Sequence, residues 1–332
     1  MKVGIIGATG AVGNEILRVM EHFKIPIKRI ILFASHKSIY KNIFSEFYGL
    51  LSLYPFSFDL VKTLDICFLA VDNSFANEWA MKIANENVIV IDCSSFFRLN
   101  PTIPLVIPEI NGNEIRNNKL IANPNCVSSI ALMALYPLHK EFQLKRVIIS
   151  TYQASSGAGK QGIDELVEGT KAFLNDEPIK NKVFQYPLPF NLIPHIDDFT
   201  ENGYTKEEMK VVNEIRKILK TPDLLISCSS VRIPTIRSHS LSITIETEKE
   251  ITAEKARNLL FFSQGIDVVD NPKTNQYPMP LSATNKYNVE VGRIRENVVF
   301  GEKGLDLFVC GDQLLRGAGL NAVLIMKHLF QI

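Results

Sequence analysis

Gly7-Ala8-Thr9-Gly10-Ala11-Val12-Gly13 follows directly on the apolar run Val3-Gly4-Ile5-Ile6 and opens the amphipathic segment Glu15 to Phe23. Glycines let the backbone turn sharply and approach a pyrophosphate, whose charge is stabilised by the N–H groups and dipole of a helix N-terminus. The spacing is GxxGxxG, looser than GxGxxG, so the strand–turn–helix context carries as much weight as the glycines. A glycine-rich turn without a ligand is the bland alternative; the context favours a dinucleotide.

Outward from that loop, Val3 to Ile6, Arg29 to Phe33, Ile66 to Ala70, Val88 to Asp92 and Lys119 to Ala122 read as buried strands. Amphipathic segments, Glu15 to Phe23 and Phe75 to Asn85, lie between several of them, the mark of a parallel sheet with helices on its faces. Beyond about residue 125 the runs lengthen: Arg146 to Gln153, Leu225 to Arg232, Ser240 to Glu246 and Leu305 to Cys310, with helices near 160–174, 205–219 and 252–263. The fold class is therefore α/β, an N-terminal Rossmann-like parallel sheet domain followed by an α+β domain with a mixed sheet. A last helix, Gln313 to Phe330, puts Leu315, Ala318, Ala322, Ile325 and Leu329 on one face, and its pattern suits packing on either domain.

The second strand indicates which dinucleotide. An NAD site usually places Asp or Glu there, about 20 residues past the glycines, to hold the ribose 2′-hydroxyl. Here Ile30 to Ala34 is followed by Ser35-His36-Lys37-Ser38. Two hydroxyls and a cation, with no acid nearby, suit a 2′-phosphate and favour NADP. The competing view is that Lys37 is an ordinary solvated lysine.

The 332 residues balance 36 Lys+Arg against 35 Asp+Glu, and 46% are hydrophobic. Near-neutral charge without like-charge blocks gives no footprint for nucleic acid or an anionic membrane. No run approaches the roughly 18 apolar residues of a membrane helix, and Met1 to Gly10 lacks a signal-peptide core. A cytoplasmic protein is expected. Five cysteines, none in a CxxC or CxxH arrangement, disfavour a disulfide framework or a metal site.

One cysteine stands apart. Asn123-Pro124-Asn125-Cys126 precedes the helical pattern Val127 to Leu138, and a thiol at a helix N-terminus gains thiolate character from the dipole. Cys67, Cys93, Cys228 and Cys310 lie in or at the ends of apolar strands and read as inert, Cys93 least firmly because dinucleotide folds bind ligands at strand ends. A nucleophilic cysteine beside a nicotinamide suggests thioester chemistry with a proton carrier. His239 in Arg232-Ile233-Pro234-Thr235-Ile236-Arg237-Ser238-His239 is the choice, although sequence distance does not show that it meets Cys126.

Together these motifs resemble the NADP-dependent aspartate-semialdehyde dehydrogenases. The likeness runs through GATGAVG (7–13), SSFFR (94–98), PLVIPEING (104–112), NPNC (123–126), TYQASSGAGKQG (151–162), FNLIPHIDDF (190–199), YTKEEMKVVNEIRKIL (204–219), VRIPTIRSHS (231–240), VGRIR (291–295) and GDQLLRGAGLNAV (311–323). The resemblance implies reduction of β-aspartyl phosphate by NADPH to aspartate semialdehyde and phosphate, on the way to lysine or diaminopimelate, threonine and methionine. It implies Cys126 as nucleophile, His239 as acid and base, and Gln153 as the residue orienting the acyl intermediate. Arg98 and Lys210 would hold phosphate, Glu207 the substrate ammonium and Arg232 its carboxylate, with Asn125 also against substrate. Glu207 and Lys210 share one face of a helix opened by a Thr205-x-x-Glu208 capping box, although Glu207 is also suited simply to complement the helix dipole.

For the cofactor the resemblance implies Thr9, Gly10, Ala11 and Val12 at the pyrophosphate and Ser35, Lys37 and Ser38 at the 2′-phosphate. Ser156 and Gly157 would lie near the ribose or nicotinamide, and Gln313 at its carboxamide. It also implies a dinucleotide domain of residues 1–125 completed by a C-terminal helix in 312–332, a catalytic and dimerisation domain of 126–311, and a homodimer that can pair again into a tetramer. Three positions depart from the family: Lys37 stands where many members carry Arg, Val71-Asp72-Asn73-Ser74 replaces a Gly-rich turn, and Cys93 replaces a common Asn. The nearest rival is an N-acetyl-γ-glutamyl-phosphate reductase, whose nucleophile usually follows Gly and precedes Tyr, unlike Asn125 and Val127. A catalytically silent dinucleotide-binding sensor is opposed by the joint presence of Cys126, Gln153 and His239.

Overall fold

Val3 to Ile6 are all buried, too apolar to face water on either side, and strand β1 (Lys2–Ile6) accordingly runs through the middle of a sheet. The computed structural model describes residues 1–39 and 41–332. The chain divides into two compact units, Met1–Asn125 with Ala318–Ile332, and Cys126–Gly317.

In the first unit, α1 (Ala11–His22), β2 (Arg29–Phe33), β3 (Asn42–Ser45), β4 (Gly49–Tyr54), α2 (Phe58–Val61), β5 (Ile66–Leu69), α3 (Asn73–Asn85), β6 (Ile89–Asp92), α4 (Pro108–Asn111) and β7 (Leu120–Ala122) follow β1. The seven-stranded sheet has the order β3-β4-β2-β1-β5-β6-β7, parallel except where β3 pairs antiparallel with β4. The chain leaves β1 toward β2 on one side and later returns to β5 on the other. The glycine loop after β1 therefore sits at the topological switch point, where open α/β sheets bind ligands.

The β3–β4 hairpin is absent from the sequence reading. Its strands are short, half-exposed and at the sheet edge, with patterns that lack a continuous apolar run. Asp72 also has a structural account: it is the N-cap of α3, accepting from Phe75 N at 3.0 Å and the Ser74 hydroxyl at 2.6 Å, and both bonds hold its carboxyl below the usual range.

The second unit contains α5 (Cys126–Phe142), β8 (Leu144–Gln153), α6 (Gly159–Leu174), α7 (Lys206–Leu219), β9 (Leu225–Arg232), β10 (His239–Thr247), α8 (Ala253–Phe261), β11 (Ile266–Val268), α9 (Pro280–Ala283), β12 (Val289–Glu296) and β13 (Gly304–Gly311). The mixed six-stranded sheet runs β11-β12-β13-β10-β8-β9, with β8/β9 and β11/β12 parallel and the other pairs antiparallel. β12 escaped the sequence reading because its alternation breaks at a register shift between Gly292 and Arg295, where Arg293 adopts φ +55°.

The final helix differs from the expected continuous Gln313 to Phe330. A π-helical turn at Leu315–Gly319 precedes α10 (Leu320–Phe330). Asp312 takes the N–H groups of Leu314 and Leu315, and Gly317 and Gly319 loosen the following turn. α10 then packs on α1 within the first unit, where Asn321 donates to Val106 O and Asn123 Oδ1. No helix among the described residues is long and apolar enough to cross a membrane.

Candidate active site

In the first unit the glycine loop has the form a pyrophosphate requires. Gly7 adopts φ +85° with its Cα against the Ala70 carbonyl, so a side chain there would collide with backbone. The N-cap of α1 is Gly10, which has no side chain to cap the helix, and the first turn carries no acid. The N-terminal amides of that helix are thus left for an anion, and the residues present fit a dinucleotide phosphate. After β2, Ser35 and Lys37 are exposed in a turn closed by Ser38 N to Ser35 O at 2.8 Å.

Arg98 is half-buried and anchored. Its Nε donates to Asn123 O at 2.9 Å and its Nη2 to Cys93 O at 3.1 Å, which joins the turn after β6 to the NPNC segment. Asn125 is buried in the same segment. Burial and the neighbouring Asp92 push the Cys93 thiol up to about 12. Burial also raises Cys67, Cys228 and Cys310, the last two to about 12, so these four thiols are poor nucleophiles.

The second unit carries the remaining expected residues. Cys126 is the first residue of α5 and half-exposed. Gly317 lets the chain pass close over it: a Cβ at Gly317 would stand 2.7 Å from Cys126 Cβ. β8 ends on Gln153, whose Oε1 accepts from Thr151 at 3.0 Å and whose Nε2 donates to Glu207 Oε1 at 3.3 Å.

The capping box of α7 forms, with Thr205 N to Glu208 Oε2 at 2.7 Å and Glu208 N to Thr205 Oγ1 at 3.3 Å. Glu208 also accepts from Ser230 N at 2.8 Å, fastening the helix start to β9. This leaves Glu207 on the buried face, with Lys210 one turn on, 3.5 Å from its carboxylate. Lys210 also meets Asp197 at 2.6 Å, a residue the sequence reading missed. Burial opposes ionisation of Asp197, yet the Lys210 hydrogen bond holds its carboxyl below the usual range.

Arg232 is buried at the end of β9, and its Nη1 donates to Ala154 O at 2.6 Å. Burial lowers its pKa, while the charges of Glu207 and Cys126 oppose that change, so these three groups share one electrostatic environment. The N–H of the same Ala154 donates to His239 Nδ1 at 3.1 Å. Burial, and secondarily the Arg232 charge, push the imidazole down to about 3. A neutral ring that accepts at Nδ1 carries its proton on Nε2. That Nε2 is buried without a hydrogen-bond partner among the described residues.

Gly157 borders both groups: a Cβ there would lie 2.7 Å from Arg232 Nη1 and 3.5 Å from His239 Nε2. Gln313 and Ser156 are both buried, and the Gln313 Nε2 donates to Ser156 Oγ. The second unit therefore offers a thiol at a helix start, a buried Nε2–H donor, a buried guanidinium and a buried carboxylate, which together suit acyl transfer on a small zwitterionic substrate. Among the described residues no group of three or more His, Cys, Asp or Glu is placed to hold a metal ion.

Two family profiles match the chain, a semialdehyde dehydrogenase NAD binding domain at residues 2–118 and a semialdehyde dehydrogenase dimerisation domain at 135–316. The chain is 42% identical to the aspartate-semialdehyde dehydrogenase of Aquifex aeolicus over 99% of its length and 97% of the relative's. Identity to that of Campylobacter jejuni is 41%, covering 100% and 98%. Among solved structures, aspartate semialdehyde dehydrogenase II from Vibrio cholerae, known also in complex with ASA, superposes with a TM-score of 0.95 at 36% identity, covering 99% of this chain and 98% of that one.

Proposed function

The chain belongs to the aspartate-semialdehyde dehydrogenase family, and we propose that it reduces β-aspartyl phosphate with NADPH to aspartate semialdehyde and phosphate through a thioester on Cys126. The observation that carries this reading is that one unit holds both a helix-terminal cysteine and a buried histidine whose Nδ1 is occupied by Ala154 N–H and whose Nε2 is open, each within electrostatic reach of Arg232.

In the first step the Cys126 thiolate attacks the acyl carbon. A C–S bond forms, the bond from that carbon to the bridging phosphate oxygen breaks, and its electron pair leaves with phosphate. A dinucleotide held by the glycine loop would supply the hydride that reduces the thioester. His239 donates from Nε2–H to the oxygen that gains negative charge, acting as a neutral hydrogen-bond donor, a role a buried imidazole with a depressed pKa can fill. Collapse of the tetrahedral species releases the aldehyde and returns the thiolate, and the proton consumed overall accompanies phosphate.

Glu207 holds the substrate ammonium and Arg232 its carboxylate, with Gln153 fixing the acyl group and Asn125 against substrate. Arg98 and Lys210 receive phosphate. Thr9 to Val12 hold the pyrophosphate; Ser35, Lys37 and Ser38 hold the 2′-phosphate and favour NADP; Ser156, Gly157 and Gln313 serve the nicotinamide half. Asp72, as a helix cap, is compatible with this arrangement. The product feeds lysine or diaminopimelate, threonine and methionine synthesis, and five free cysteines suit the reducing cytoplasm.

The dimerisation profile supports a homodimer. Its interface is proposed on the sheet face away from α5, α7 and α8, where Ile148 and Leu225 are 46% and 53% exposed and the Tyr152 and Phe308 rings meet. Two such dimers pairing again would give a tetramer, which sedimentation distinguishes. The test of the reaction is phosphate-dependent NADP reduction by aspartate semialdehyde, run beside N-acetylglutamate semialdehyde. Turnover of the first alone is expected; preference for the second would overturn the assignment.

A further inference from the structure

His239 is the first residue of β10 and pairs across the sheet with Gly311, the last of β13. The residue just after β13, Asp312, is fully buried and accepts four hydrogen bonds. Its Oδ1 takes Leu314 N at 3.0 Å and Leu315 N at 3.2 Å; its Oδ2 takes Asn285 N at 2.8 Å and Arg237 Nε at 2.7 Å. A buried carboxylate is costly unless matched in this way, and three backbone N–H donors with one guanidinium give it a fixed position.

Between Arg237 and His239 lies Ser238, buried and in the left-handed region at φ +70°. A non-glycine residue persists there only when its surroundings over-determine it. Three contacts do so: Ser238 N donates to Gln313 Oε1 at 2.8 Å, its hydroxyl meets that of Thr284 at 2.9 Å, and Arg237 on its other side is tied to Asp312. Beyond Ser238 the His239 ring is held at Nδ1 by Ala154 N–H. A relaxed Ser238 would rotate the chain entering β10 and carry the ring away from that donor.

We propose that Asp312, acting through Arg237 and with Gln313 and Thr284 on Ser238, is the positioning residue that fixes His239 in the orientation with Nδ1 on Ala154 N–H and Nε2 open. It touches no reacting atom. The proposal rests on His239 acting at Nε2, and it adds a second duty to Gln313, whose amide is engaged inside the unit at both ends.

Two measurements test it. Nitrogen-15 spectra of histidine-labelled protein, with His239 assigned through His239→Gln, should show the Nε2–H tautomer in the wild type and a shifted or averaged His239 signal in Asp312→Asn, where an amide faces two donors. An unchanged His239 signal in folded Asp312→Asn would overturn the proposal whatever the enzyme's substrate proves to be. In the wild-type assay, Asp312→Asn should lower kcat about a hundredfold, the order expected for a displacement near 1 Å, with KM values within about twofold.

In the His239→Gln background the same substitution should cost nothing further, whereas additive losses would contradict it. Should Asp312→Asn not fold, Thr284→Val, which removes the hydroxyl's contact with Ser238 together with its bond to Pro280 O, carries the same cycle: a loss of about threefold that vanishes in His239→Gln supports the clamp, and an additive loss or none overturns it. Absence of wild-type turnover on aspartate semialdehyde would instead fail the proposed reaction and leave the spectral test standing.

Discussion

The backbone N–H of Ala154 donates to Nδ1 of His239 at 3.1 Å, and this one bond decides what the histidine can do. A base at Nε2 would need its neutral proton on Nδ1, pointed at another N–H. The opposite tautomer offers Nε2–H as a donor, and burial keeps the ring neutral down to about pH 3.

The pH–rate profile should therefore show no step from His239 between pH 5 and 8. Any acid limb should survive in His239→Gln at a rate lower by about 10² or more. A limb with an apparent pKa near 6.5 that disappears in that variant would show the imidazolium acting as an acid.

Stability carries the same signature with a defined sign. His239 has a folded pKa of about 3 against about 6.5 unfolded, so between those values the unfolded chain binds more protons. Its contribution is complete above about pH 6.5 and is lost as pH falls toward 3. Urea midpoints of the wild type should drop more steeply across that window than those of His239→Gln; parallel curves would mean the ring is not buried neutral.

Two glycines admit no side chain near the chemistry. Gly317→Ala would press on the Cys126 Cβ, which cannot yield, and Gly157→Ala on Arg232 Nη1, the end of a side chain held by Ala154 O. Both should lower kcat/KM by about tenfold or more with little change in fold. Gly157→Ala should raise KM for the semialdehyde, whereas Gly317→Ala should slow alkylation of Cys126 by iodoacetamide, which distinguishes the two sites.

Much of this was legible in the sequence, for physical reasons that also mark where it stopped. The buried runs of β1, β5 and β6 and the GATGAVG turn specify a parallel sheet because continuous burial leaves no other solution. The hairpin at 42–54 and β12 were not legible, since one lies at an edge with half-exposed strands and the other is broken by a bulge. The place of Cys126 at a helix start could be read from the sequence. Asp197 and Asp312 could not, because their partners lie 13 and 75 residues away and only the tertiary fold joins them.

Asp197 would set the cost of the anion binding proposed at Lys210. The two pair at 2.6 Å with about a quarter to a third of each side chain exposed, so a phosphate entering there as proposed would share a neutralised lysine. Asp197→Asn should lower KM for phosphate by up to about fivefold, in line with the ~1 kcal/mol ceiling of such pairs. A raised KM would mean Asp197 orients Lys210 for the anion instead of competing with it.

Lys37→Ala should raise KM for NADP about tenfold, the equivalent of one charge-assisted hydrogen bond, and leave KM for NAD nearly unchanged. Equal changes would remove Lys37 from the 2′-phosphate.

The thioester on Cys126 is tested most directly by rapid quench of the enzyme with aspartate semialdehyde and NADP in the absence of phosphate. One equivalent of NADPH per subunit should form in a burst, with the acyl group recovered on the peptide containing Cys126 and released on addition of phosphate. A burst that persists in Cys126→Ala, or an acyl group recovered on any other residue, would contradict it.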